Sequence, residues 1–104
     1  MEKLDSTSYH NFVAEGNKVV EFIAEWCIDC KRLSFSVPAW EETYSNFQFG
    51  SVDVDLDRKL AEDQDIKGVP TFLVYKDGRE VGRLLSREAK NEENVQVFLH
   101  KHLD

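Results

Sequence analysis

Cys27 and Cys30 are the only thiols in a chain of 104 residues, and they stand two residues apart in Glu25-Trp26-Cys27-Ile28-Asp29-Cys30-Lys31. On a helix, residues i and i+3 share a face, with Cβ atoms about 5–6 Å apart. Bridged cysteines have Cβ atoms about 3.5–4.5 Å apart, so a small adjustment closes a disulfide between these two. Neither thiol needs a partner elsewhere, and the pair can open and close without unfolding the chain. The chemistry this spacing supports is reversible dithiol–disulfide exchange. The same spacing is also half of a zinc site, but the other half is missing. The three histidines, His10, His100 and His102, lie at opposite ends of the chain, and there is no second CxxC. No metal and no cofactor are expected.

The elements around the pair follow from periodicity. Val19 to Ala24 is nearly all apolar, as a strand covered on both faces is. Its anomaly is Glu21, since a carboxylate among Val, Phe and Ile is costly unless neutral or partnered, and burial raises its pKa. The alternative is a Glu21 at the strand end, facing solvent. Downstream, Cys30, Leu33, Val37, Trp40 and Tyr44 recur at steps of three and four, a helical stripe that reads as core. Cys30 heads this stripe and is expected to be buried, with Cys27 reachable at the helix tip. There the positive end of the helix dipole favours thiolate over thiol, and Lys31 adds a weaker, solvated contribution. Pro38 removes a donor and crowds the carbonyl of Ser34, which predicts a kink or a restart.

Elsewhere, Tyr9, Phe12 and Val13 predict a helix over residues 6–15, capped by Ser6 or Thr7 and stopped at Gly16. Lys3-Leu4 reads as a very short strand, and Phe47 to Val54 as a buried strand with Gly50 as a bulge position. Asp57 to Gln64 reads as a short helix. Thr71 to Lys76, an Asp77-Gly78 turn and Arg79 to Leu85 read as a hairpin. A last helix, Glu92 to His102, presents Val95, Phe98, Leu99 and Leu103. This order, β(α)β then β–β–α, predicts one α/β domain over residues 1–104.

Composition narrows the setting. Hydrophobic residues make up 41% and charged residues 32%, values of a globular chain. No apolar run approaches the ~18 residues a membrane span needs. The net charge of −7, from 13 basic and 20 acidic side chains, opposes binding to nucleic acid or anionic membrane. Two cysteines are too few for a disulfide scaffold, and the first residues lack a secretory signal's apolar core, so a monomer in a reducing cytoplasm is expected. Asp53-Val54-Asp55-Leu56-Asp57 fails as a calcium loop, because its sixth and twelfth places hold Arg58 and Gln64. It reads as a solvated acidic face, and His100 and His102 read as surface histidines.

A Trp-Cys-x-x-Cys-Lys motif after an apolar strand resembles the thioredoxin family, for which this motif beside a βαβ pattern is an established signature. Val20-Glu21-Phe22-Ile23-Ala24-Glu25-Trp26-Cys27 is similar to the family's strand into the active site. Ile66-Lys67-Gly68-Val69-Pro70-Thr71 is similar to its cis-proline loop, and Tyr75-Lys76-Asp77-Gly78 to its hairpin. Nearly the whole chain is covered. The resemblance implies the thioredoxin fold, a central mixed β-sheet flanked by helices on both faces. It also implies a thiol–disulfide oxidoreductase that transfers electrons to disulfide-containing proteins and is recharged by a reductase or another thiol donor. By that resemblance Cys27 attacks, Cys30 resolves the mixed disulfide, and Glu21 relays the proton of Cys30. Trp26 packs beside the site, and Pro70 is cis. Lacking an N–H, Pro70 ends sheet pairing and leaves the backbone of Val69 free to align an extended substrate beside Ile28 and Asp29. The rival reading is a thioredoxin-fold binding module that uses the Val69-Pro70 groove with little turnover; a metal-binding adaptor is a weaker third.

Four positions depart from the family pattern. Ile28-Asp29 replaces the usual Gly-Pro, and a carboxylate there raises the Cys27 pKa relative to a neutral residue, making the pair more reducing. Ser51 stands where the family often pairs a lysine with the buried acid. Ser86 stands where it often has a glycine of its partner-docking surface.

Overall fold

Val19, Val20 and Phe22 are fully buried because their strand lies in the middle of a sheet with helices on both sides. The computed structural model describes residues 1–103. The strands are β1 (Glu2–Lys3), β2 (Asn17–Ile23), β3 (Gln48–Asp53), β4 (Thr71–Lys76) and β5 (Arg79–Leu84). The helices are α1 (Tyr9–Val13), α2 (Ile28–Ser34), α3 (Val37–Thr43), α4 (Arg58–Asp63), α5 (Ser86–Ala89) and α6 (Glu92–Lys101). The strand order is β1-β3-β2-β4-β5. β1, β3 and β2 run parallel, while β4 is antiparallel to both β2 and β5. The sheet is therefore mixed, as expected.

Successive strand residues face opposite sides, and this sorts the core into two layers. Val19, Phe49, Phe72 and Val74 meet Leu33, Val37 and Trp40 of α2 and α3 and Val95, Phe98 and Leu99 of α6. Val20, Phe22, Val52 and Leu73 meet Tyr9, Phe12 and Val13 of α1 and Leu60 of α4. Glu21 shares its parity with Val19, and Ser51 shares its parity with Phe49. Both therefore belong to the face that α2 and α3 cover. Among the described residues no helix is long and apolar enough to cross a membrane.

Pro38 acts as a restart. The long stripe splits into α2 and α3, and Pro38 sits in the first turn of α3, where a missing N–H leaves nothing unpaired. The first helix ends earlier than expected, at Val13 with Ala14 as C-cap, and Gly16 (φ +78°) turns the chain into β2; Asp77 (φ +50°) with Gly78 (φ +88°) makes the hairpin turn.

Other expectations need correction. Gly50 makes no bulge: it pairs regularly with Val20 and Glu2, and a Cβ there would meet Leu4 Cδ1 at 2.6 Å. Glycine lets the Leu4 side chain lie against the sheet. The irregularity falls instead between Val74 and Tyr75, opposite β5. Neither Ser6 nor Thr7 caps the first helix; Asp5 Oδ1 accepts from the amides of Thr7 and Ser8, and the helix begins only at Tyr9. α5 was not foreseen, four residues being too short for a periodic signal. His102 is half-buried rather than a surface histidine. Its ring packs edge-on to Phe98 at 5.0 Å and fills the space over Gly82, and burial, then Lys101 and Lys76, holds its pKa below the usual value.

Candidate active site

The turn out of β2 places the cysteines. Cys27 is the N-cap of α2 with an extended backbone, and its Sγ accepts a hydrogen bond from the amide of Cys30 at 3.1 Å. An N–H donor at a helix N-cap stabilises negative charge on the group it meets, here the sulfur that becomes a thiolate on reduction. The two residues are joined as a disulfide, with Cα atoms 5.2 Å apart. In this oxidised state both are only 5% exposed, so Cys27 is not the open member of the pair that its place at the helix tip suggested. Ala24 and the half-buried Ile23, Val54 and Val69 close around both. What faces solvent is the apolar shoulder, Trp26 at 68% and Ile28 at 80% exposure.

The Val69–Pro70 peptide is cis. The ladder between β4 and β2 starts at Thr71, opposite Phe22, so the main chain of Val69 lies outside it. Val69, Gly68, Lys67, Ile66, Val54 and Trp26 line a groove of about 190 Å³ beside the cysteines. Trp26 is fixed as one wall by Asp55, whose Oδ2 accepts from the indole Nε1 at 2.8 Å. Asp55 is thus more than part of a solvated acidic face. Its loop is shaped by Asp53 Oδ1, which accepts from the amides of Asp55 and Leu56. Only the short Asp-x-Asp spacing hinted at this turn.

Asp29 lies in the first turn of α2, and Arg32 Nη2 donates to its Oδ1 at 3.1 Å. Arg32 also donates to the carbonyl of Lys90, just after α5, which ties the active-site helix to the α5–α6 corner. The carboxylate next to Cys27 therefore carries its own counter-charge, one turn along the helix.

Glu21 lies beneath the pair. It is the fifth residue of β2, paired with Ser51 of β3 and Phe72 of β4, and 3% exposed. The alternative of a solvent-facing strand end does not hold. Its Oε2 is buried without a hydrogen-bond partner, and burial pushes its pKa from 4.5 up to about 8. Glu21, Cys30 and Ser51 line one cavity of about 290 Å³. Among the described residues no group of three or more His, Cys, Asp or Glu side chains could hold a metal ion.

A CxxC disulfide at the N-cap of a helix, a cis-proline groove beside it and an acid below define a thiol–disulfide oxidoreductase of the α/β class. Comparison with known proteins agrees. The family model Thioredoxin matches residues 1–101. Thioredoxin of Chlamydia pneumoniae is 29% identical over 99 residues, 95% of each chain. Thioredoxin 1 of Plasmodium falciparum is 42% identical over 84 residues, 81% of this chain and 78% of the relative. The solved structure of Plasmodium falciparum thioredoxin superimposes with a TM-score of 0.90 at 29% identity, covering 98% of this chain and 99% of that one. The chain belongs to the thioredoxin family.

Two outcomes follow from this geometry. Asp29→Asn is expected to lower the pH midpoint of Cys27 alkylation in the reduced protein by about half a pH unit, and Arg32→Ala, which strips the counter-charge, to raise it. An unchanged or higher midpoint in Asp29→Asn contradicts the repulsion. The second outcome concerns stability. Glu21 holds its proton to about pH 8 when folded, whereas the unfolded chain releases it near 4.5. Between these values the unfolded state binds fewer protons, so stability is full below about pH 4.5, falls as pH rises and levels off above about 8. The loss is on the order of 5 kcal/mol. Urea midpoints across this range are expected to fall in the native chain and to stay flat in Glu21→Gln.

Proposed function

We propose that this chain reduces or exchanges protein disulfides by a two-cysteine cycle in which each site residue has a distinct task. The Cys27 thiolate attacks one sulfur of a substrate disulfide. A Cys27–substrate bond forms, and the other substrate sulfur leaves as a thiolate that takes a proton from water. Glu21, neutral at rest, first releases its proton to solvent; Cys30 then passes its own proton to the Glu21 carboxylate and attacks Cys27 Sγ. The Cys27–Cys30 bond forms as the Cys27–substrate bond breaks, and the second substrate sulfur leaves. Two electrons have moved from the dithiol to the substrate. A reductase or other thiol donor reverses the last state.

The observation that carries this reading is the shared cavity of Cys30 and the unpartnered Glu21 Oε2. A buried acid with a pKa near neutrality suits a group that accepts and returns one proton per cycle. Substrate is proposed to lie extended across Val69 and Pro70, its main chain meeting the unpaired backbone of Val69, with Trp26, Ile28 and Asp29 as the opposite wall. The net charge of −7 and the pair of cysteines support a monomer at work in the cytoplasm, away from nucleic acid and membrane.

A Cys30→Ser variant tests the cycle, because it can attack but cannot resolve. Incubated with lysate, it is expected to accumulate mixed disulfides that dithiothreitol releases and that are absent when Cys27 is also serine. Absence of covalent adducts in Cys30→Ser would instead mean a binding module that holds partners without exchange.

A further inference from the structure

The cavity below the cysteines continues past Glu21. Its floor is the buried Glu21, Cys30, Ser51 and Val37, and its rim is the exposed Ser34, Pro38 and Met1 with the half-exposed Glu41. At about 290 Å³ it holds several waters, and its floor offers the hydroxyl of Ser51 and the unpartnered Glu21 Oε2 as bonding groups. It lies on the α2–α3 side of the sheet. The substrate groove is lined by a different set, Trp26, Val54 and residues 66–69, and shares no residue with it.

This separation bears on the proton. Glu21 is neutral at rest and can take the Cys30 proton only after losing its own, so a proton has to leave the buried carboxyl before each resolution. The buried disulfide and the bound substrate block the way past Cys27. We propose that the proton leaves by the flank, along water in the cavity lined by Ser51, and that Glu41 at the mouth is the residue that exchanges it with bulk solvent. The inference rests on the reading of Glu21 as the acceptor of the Cys30 proton. The small Ser51 keeps the cavity open beside Glu21, and a longer side chain there would fill it. Glu41 is a positioning and exchange group: it touches neither substrate nor the reacting sulfurs.

The charged groups near this path, besides Glu21, come from the chain start, α3 and the β1–β3 edge, with Glu25 beside the adjoining pocket. Glu41 comes from α3, and the Met1 amine lies 2.9 Å from its Oε2. Lys3 of β1 stands opposite Ser51 in register, and Asp53 lies two residues along β3 on the same face. α2 contributes Cys30 and Ser34, and the β4 neighbour of Glu21 is Phe72, which carries no charge. Glu41 is the carboxylate at the rim.

The test is single-turnover reduction of a small peptide disulfide by the reduced full chain, followed from about pH 5.5 to 9 at low buffer concentration. Glu41→Gln is expected to slow resolution by about threefold near neutral pH, with added imidazole restoring the native rate because a mobile carrier replaces the lost exchanger. Ser51→Leu, which fills the cavity, is expected to slow it further without rescue. Alkylation of Cys27 should be unchanged in both. A Glu41→Gln profile that superimposes on the native one, or a slowing that imidazole does not relieve, overturns the route. Should Ser51→Leu fail to fold, Glu41→Gln decides alone. Glu21→Gln separates the two levels. If it is slow while Glu41→Gln is native, only the flank route fails; if Glu21→Gln is itself native, the relay falls and the route with it.

Discussion

A carboxyl group buried in an apolar strand is the constraint on which the rest of the site depends. β2 is covered by helices on both faces, so whatever side chain it carries is dry. Placing Glu21 there forces the acid to remain neutral to about pH 8, at a cost to the fold that grows as the solution becomes alkaline. In the proposed cycle that cost falls next to the sulfur that loses a proton as it attacks. Removed from that neighbour, the same carboxylate would be a defect. Parity along the strand does the placing: Glu21 shares the α2–α3 side with Val19, under Cys30, while Val20 and Phe22 serve the other layer.

The two sulfurs divide the work by backbone geometry. Cys27 is the last extended residue before α2, and its sulfur already receives the Cys30 amide. That amide is one of the donors a helix start leaves free, so the fold presents it without rearrangement. The Asp29 charge is balanced locally by Arg32, and the Trp26 indole donates a hydrogen bond to Asp55. Burial of Cys27 in the oxidised state confines access to the strip between the exposed Trp26 and Ile28 and the Val69–Pro70 main chain. The proposed substrate path follows that strip.

Features written in short-range chemistry were legible in the sequence. The CxxC spacing, the Asp77-Gly78 turn, the left-handed Gly16 and the restart at Pro38 each follow from a local rule, and the structure bears them out. The oddity of Glu21 was visible as a charged letter in an apolar run. Its burial was one of two readings of that run until the sheet registers placed it between Ser51 and Phe72. Long-range features were not legible. Nothing in Asp53-Val54-Asp55-Leu56-Asp57 says that Asp55 reaches a tryptophan 29 residues earlier. Gly50 is small because Leu4 crosses it, a contact between segments far apart in the chain. The covering of Cys27 depends on Val54 and Val69, which belong to two distant loops. Nothing in the sequence joins Glu41, three residues past Pro38, to Glu21; the cavity does.

The central claim is that Glu21 is a protonated acid poised near neutrality beneath Cys30, and the carbon of its carboxyl group reports this directly. Carbon-13 NMR of the side-chain carboxyls in the oxidised protein, with Glu21 assigned by its loss in Glu21→Gln, gives the titration midpoint without relying on kinetics. The account requires a midpoint at about 8 that moves when the disulfide is reduced and a titrating thiol lies alongside. A midpoint near the ordinary 4.5, or one that ignores the state of the cysteines, would contradict it.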